Sequence, residues 1–175
     1  MYSGGDGTVY RQEFGSYLGF LYRVNEFTEE EAEIFWKYKE WFGEVEKTAM
    51  NKSYKMVLLL AMLERGPLSW EQPVQAREIV RFFYDYLTAE SYRLRAEARD
   101  RQTKQLLSQY DEERIARLIR EMPMDKWSGS SKGLVAVERE HFSIKLELLP
   151  HEREKVFEWT RQICEFRLHH YFERR

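Results

Sequence analysis

An uninterrupted apolar run, Met56–Leu63 (MVLLLAML), constrains this chain more than any other feature. It is too short to cross a bilayer, which takes about 20 apolar residues. The rest of the protein must therefore cover it. With Tyr54 added, apolar groups fall on every side of a helical wheel, the pattern of a central helix buried all round. A buried strand is the rival reading of so short a run. The Leu, Met and Ala content favours helix, with Ser53 as N-cap and Gly66-Pro67 as the stop, so a helix is expected from Ser53 to Glu64. Partners to wrap it are at hand, because aromatic residues make up 15% of the 175. Side chains of that bulk build a core, and they argue against intrinsic disorder.

The neighbouring segments read mostly as helices. Thr28 and Glu31 form a capping-box pattern with Phe27 in the staple position, and open a helix over Glu29–Lys47. Its stripe is Ile34, Phe35, Tyr38, Trp41, Phe42 and Val45. Phe14–Val24 reads as a shorter helix despite Gly15 and Gly19. A further helix is expected to open at Pro73 and run to Leu87, since proline is favoured at a first helical position. Another spans Asp111–Met122, with Pro123 as its stop. Ser128–Gly133 (SGSSKG) is a loop by composition. Leu134–Val137 and Phe142–Leu148 read as the strands of a hairpin turning at Glu138–His141, because Phe142, Ile144, Leu146 and Leu148 alternate with polar residues. A last helix follows Pro150, with Val156, Trp159, Ile163, Phe166 and His170 on one face. A lone hairpin is unstable in water and must pack on helices. The expected fold is mainly α with a small antiparallel β-hairpin: a flexible segment 1–13, then a single mostly helical domain over 14–175. The Gly-rich start, running straight into packed-looking sequence, suggests a piece of a longer protein.

Charge is uneven along the chain. Residues 1–50 hold five Lys/Arg and ten Asp/Glu, residues 51–110 ten and seven, and the remainder thirteen of each. Tyr92–Lys104 is the most basic stretch, with Arg93, Arg95, Arg99, Arg101 and Lys104 against Glu97 and Asp100. Mixed-charge helices are often only solvated faces. The alternative is a face that meets phosphates. The N-terminus, Met1–Thr8, lacks the basic and apolar regions of a signal peptide, and with no spanning run a cytoplasmic location and no membrane partner are expected.

Several catalytic patterns are missing from the sequence. There is no GxxxxGK[ST], GxGxxG or HExxH. His141, His151, His169 and His170 lack the spacing of zinc ligands, so no metal and no cofactor is expected. The one cysteine, Cys164, lies in the apolar pattern of the last helix and reads as structural. The strand IKLEL has the wrong order for the acid-x-Lys triplet of a metal nuclease, and Glu138 and Glu140 read as surface acids of a turn. The chain is not expected to be an enzyme.

One arrangement carries more information. The helices MVLLLAML, QAREIVRFFYDYL and DEERIARLIREM, followed by a hairpin, have the order of a winged helix, in which the third helix enters the DNA major groove. Its DNA-facing groups would be Arg114, Arg117, Lys126, Ser130, Ser131, Lys132 and Arg139. The gap between Leu87 and Asp111 is long for a helix-turn-helix, and Asp111, Glu112, Glu113 and Glu121 balance the arginines of the third helix.

The segment MNKSYKMVLLLAML (Met50–Leu63) resembles a signature of the C-terminal accessory region of bacterial superfamily II DEAD/DEAH-type, restriction-helicase-like helicases. RFFYDYL (Arg81–Leu87) is similar to the aromatic helix of that region, and LIREMPMDKWSGSS (Leu118–Ser131) to its helix-and-turn; a hairpin and a closing helix follow. The resemblance spans roughly residues 14–172 and rests mostly on core positions. Lys52 and Lys55 are the polar members of the signature, and a solvated helix start is the favoured account of them. The resemblance implies a non-catalytic accessory domain of a DNA/RNA helicase that assists nucleic-acid binding; the motor motifs are missing, so no catalytic residue carries over. In that role Arg93, Arg95, Arg99, Arg101 and Lys104 would contact phosphates, and the Ser128–Lys132 loop would position the strand. The alternative is a protein-interaction module, docking on a helicase motor or partner subunit through the acidic first fifty residues and exposed aromatics around Trp36 and Trp41.

Overall fold

The structure, a computed structural model, describes residues 26–175. The expected flexible segment 1–13 and the helix over Phe14–Val24 lie outside the described residues. Helix α1 spans Glu29–Lys47. Its capping box forms as expected: the Thr28 hydroxyl accepts from the Glu31 amide (3.1 Å), and the Glu31 carboxylate from the Thr28 amide (3.0 Å). Phe27 stacks on Trp159, with ring centroids 4.9 Å apart. Helix α2, Tyr54–Leu63, is the expected central rod, and every residue except Lys55 is buried. Each fully buried Leu or Met in it contributes about 1.5–3 kcal/mol relative to exposure. Ser53 does not cap it through its hydroxyl. Its amide donates instead to the Glu97 carboxylate, 44 residues away in sequence (3.2 Å).

Gly66, at φ +92°, ends the turn after α2, because that backbone region is open to glycine at little cost. Arg65 braces the following loop by donating to the carbonyls of Trp70 (2.9 Å) and Gln72 (2.6 Å). A strand then precedes the next helix. β1 is Val74–Gln75, and α3 runs Ala76–Thr88, so Pro73 lies outside the helix it was expected to open. The basic stretch folds into two short helices, α4 (Ser91–Glu97) and α5 (Arg101–Ser108), the second capped by Asp100. Helix α6 is Glu112–Ile119, capped by Asp111.

Pro123 does not stop the chain's helical course. Residues Arg120–Met124 form a π turn that leads directly into α7, Asp125–Ser130. Proline removes one ladder hydrogen bond, and a wider turn accommodates the ring without breaking the helix. The expected loop at Ser128–Gly133 is therefore helical up to Ser130. Its anchor is Trp127, fully buried between Trp41 (6.2 Å) and Phe142 (6.0 Å). Packing overrides the weak helix propensity of SGS here.

β2 (Val135–Glu138) and β3 (His141–Ile144) form the hairpin, joined by Arg139 and Glu140 at φ +51° and +66°. Two successive positive φ values define a tight hairpin turn matched to strand twist. The sheet has three antiparallel strands in the order β1–β3–β2, with Val74 opposite Phe142 and Val135 opposite Ile144. β3 ends at Ile144, short of the expected Leu148, because β2 runs out opposite Ile144 and β1 already ends opposite Phe142. Leu146 and Leu148 still pack on the core from an extended segment. Helix α8, Arg153–Glu173, closes the fold against α1 and α2. The Cys164 thiol donates to the Met56 carbonyl (3.2 Å), and Arg167 donates to the carbonyls of Val45 and Thr48 at the end of α1. The fold is mainly helical with one small antiparallel sheet, and no helix of the described residues is long and apolar enough to cross a membrane.

Candidate nucleic-acid interface

The basic α4–α5 arm is fastened to the central rod by its acids. Glu97 is fully buried and accepts from the Ser53 amide, while Lys52 donates to the Glu97 carbonyl (2.6 Å) and lies 3.7 Å from Asp100. Asp100 accepts from the amide and the hydroxyl of Thr103 (2.8 Å each). Those bonds to the charged form, the amide's first, hold its carboxyl below the ordinary value. With its acids turned inward or into a cap, the arm exposes Arg95, Arg99, Arg101 and Lys104. Arg93 is different. It donates to the Tyr86 carbonyl (3.1 Å), and its guanidinium lies 4.0 Å from the Tyr86 ring centroid, so it is half-buried and partly committed to the fold.

The same sorting recurs on α6. Asp111 spends its carboxylate on the Arg114 amide (3.2 Å). Glu112 and Glu113 are taken by Arg77 from the start of α3. Arg114 and Arg117 are left exposed. At the hairpin, Lys145 takes Glu138 (2.9 Å), leaving Arg139 at the turn. Lys132 is exposed at φ +56°. A polar cleft of about 230 Å³ joins these elements, lined by Gln75, Arg77, Glu113, Arg120 and Glu140. It brings the start of α3, the α6–π turn and the hairpin tip to one place. Lys126, also exposed, acts on Lys55, whose ammonium burial pulls below its ordinary value.

Taken together, the ten cations between residues 95 and 139 (Arg95, Arg99, Arg101, Lys104, Arg114, Arg117, Arg120, Lys126, Lys132 and Arg139) form no ion pair among the described residues. Among the other sixteen lysines and arginines of the described residues, eight face carboxylates: Lys37, Lys52, Arg77, Arg81, Lys145, Arg153, Lys155 and Arg161. Sequence balance hid this surplus, because the acids counted against it are engaged by cations from other segments or by helix N-termini. Only Glu121 and Asp125 of this stretch are spared such engagement.

Two sequence expectations need correction. Ser131 is buried; its hydroxyl accepts from the Val135 amide (3.1 Å) and donates to the Val135 carbonyl (3.2 Å), so it closes the turn into β2 and is not offered to a ligand. Ser130 stays exposed, with its hydroxyl 3.4 Å from the Trp127 carbonyl. Trp41 is not an exposed docking aromatic: it lies in the core, donating to the Thr160 hydroxyl (2.9 Å). Trp36 is half exposed, with the Lys39 ammonium 4.3 Å from its ring centroid. Sequence reasoning overlooked Arg120, which the π turn brings to the cleft, and Tyr92, an exposed ring at the start of α4. Among the described residues no three His, Cys, Asp or Glu side chains are grouped to hold a metal ion. No family model, curated protein or solved structure matches this chain.

Proposed function

We propose that this chain is a non-catalytic nucleic-acid-binding module of winged-helix type, an accessory domain working beside a helicase motor. The observation that carries the reading is the sorting of charge: the cations of residues 95–139 lack carboxylate partners, while the acids among them, Glu121 and Asp125 apart, are held elsewhere. Unpaired exposed cations cost little to bring against phosphates, because no ion pair must first be broken. Helix, strand, helix, helix, hairpin, with the first strand pairing beside the second hairpin strand, supports the winged-helix reading. The α4–α5 arm is then an insertion between the second and third helices, which accounts for the long gap after Leu87. In this arrangement Arg114, Arg117 and Arg120 approach one groove of a duplex, Lys132 and Arg139 meet the adjacent backbone from the hairpin, and Lys126 adds a flanking contact. Partnership with a helicase rests on the Met50–Leu63 resemblance.

The test is a salt titration of duplex binding by fluorescence anisotropy. Neutralising five or six phosphates gives a slope of log K against log salt of about −4.5 to −5.4. Replacing Arg114 and Arg117 together by Ala should make that slope shallower by about 2. A slope flatter than about −1, or no binding at low salt, removes the reading.

A further inference from the structure

A second cleft, of about 450 Å³, opens between α4 and α8 beside the basic arm. Its walls are Leu60, Tyr86, Tyr92, Arg93, Leu168 and Phe172. The rings stand at steep angles: Tyr92 meets Phe172 edge-on at 5.9 Å, and Tyr86 is tilted on Phe172 at 6.5 Å. The Arg93 guanidinium lies across this set, 4.0 Å from the Tyr86 centroid and 5.6 Å from that of Tyr92. Two acids also line the cleft, and both are engaged. Glu165 pairs with Arg161 (2.9 Å), and Glu173 lies 3.0 Å from His169 Nε2. The Glu165 charge at the rim is therefore offset by the Arg161 guanidinium. Tyr92 is 45% exposed at the mouth, a large ring for a surface position.

We propose that this cleft seats one unpaired base of a nucleic acid, stacked on Tyr92 beside Arg93, with the flanking phosphates on Arg95, Arg99, Arg101 and Lys104. The inference rests on the nucleic-acid reading above and adds a substrate class to it: a duplex that continues into a single strand. An aromatic platform next to a basic track is the arrangement that holds single strands, because every base has a face to stack while the backbone follows the charge. The occupant follows from charge complementarity: four exposed cations without ion pairs follow Tyr92 on the same α4–α5 arm, whereas an apolar peptide would find no use for them. Helix α3 links the two clefts. Arg77, near its start, lines the first, and Tyr86, near its end, lines the second. At 1.5 Å per residue they are about 14 Å apart along the helix. A strand rising about 3.4 Å per nucleotide covers that distance in roughly four nucleotides.

The experiment compares a duplex of roughly two helical turns, blunt or carrying a single-stranded tail of about six nucleotides, with 2-aminopurine in the tail. The wild-type chain should prefer the tailed form by about 5- to 150-fold, the range of one stacked base, and should quench the 2-aminopurine emission. Tyr92→Ala should abolish both the preference and the quenching while leaving blunt-duplex affinity unchanged. Tyr92→Phe should retain both. Because Tyr92 still packs edge-on against Phe172, Tyr92→Ala should lower the melting temperature by a few degrees, and a cooperative curve that stays fully folded at the assay temperature separates lost stacking from lost folding. If Tyr92→Ala keeps the preference, or the wild type has none, the inference is overturned while the charged interface stands. If neither duplex binds at low salt, the nucleic-acid reading and this inference fall together.

Discussion

Removing the Glu97 carboxylate should loosen the basic arm from the central rod. Glu97 is the last residue of α4, fully buried, and supplies the acceptor for the Ser53 amide at the start of α2. In Glu97→Ala that amide is left buried without its acceptor, a loss of about 1–3 kcal/mol. The Lys52 ammonium adds little, because it sits 3.9 Å from the carboxylate and keeps the Glu97 carbonyl and Asp100. A negative charge at a helix C-terminus is itself unfavourable by about 0.3–1 kcal/mol, so part of the loss returns. The net expectation is about 1–1.5 kcal/mol of destabilisation, a fall in Tm of about 2–6 °C for a chain of this size. Circular dichroism melts at neutral pH measure it. Glu97→Gln preserves one acceptor oxygen and should lose less than half as much. A Glu97→Ala variant melting within about 1 °C of wild type would refute the reasoning, because the arm would then be docked by packing alone.

Other consequences concern the opposite side of the fold. Burial alone would raise the Glu152 carboxyl, but hydrogen bonds from Tyr38 and Lys37 outweigh it and hold the group below its ordinary value. A depressed carboxyl stabilises above its unfolded pKa and loses that contribution as pH falls through the folded value. The urea midpoint should therefore drop below about pH 4, and Glu152→Gln should lower the neutral-pH midpoint and flatten that acid limb; an unchanged limb contradicts the assignment. Burial pushes the Cys164 thiol well above its ordinary range, and the thiol donates to the Met56 carbonyl. It should ignore a thiol reagent in the native state and react fully in denaturant, and prompt native labelling would disprove its burial.

Local signals in the sequence carried far. The α1 capping box, the all-round apolar character of α2 and the alternation through Phe142 and Ile144 each report a local preference, and each reappears in the structure. Features created by distant contacts were not legible. Strand β1 has only two residues and exists because Val74 and Gln75 pair with β3, so no periodicity announces it. Pro123 reads as a terminator, yet burial of Pro123, Met124 and Trp127 pulls the chain through a π turn into α7. Ser131 is polar in type, but its hydroxyl serves the turn into β2. The candidate site divides the same way. Residue type pointed to the arginines and lysines, but their freedom from carboxylates depends on partners such as Arg77 and Lys145 that only the fold brings to the neighbouring acids.

The central claim is that the unpaired cations between residues 95 and 139 are the surface that meets phosphates. Arginine side-chain and backbone amide NMR resonances, followed while a short duplex is titrated in at low salt, test it most directly. Shifts concentrated at Arg95, Arg99, Arg101, Arg114, Arg117, Arg120 and Arg139, with the ion-paired Arg153 and Arg161 unmoved, are the predicted result. Shifts centred on α1 and α8, or spectra that do not change, would contradict it.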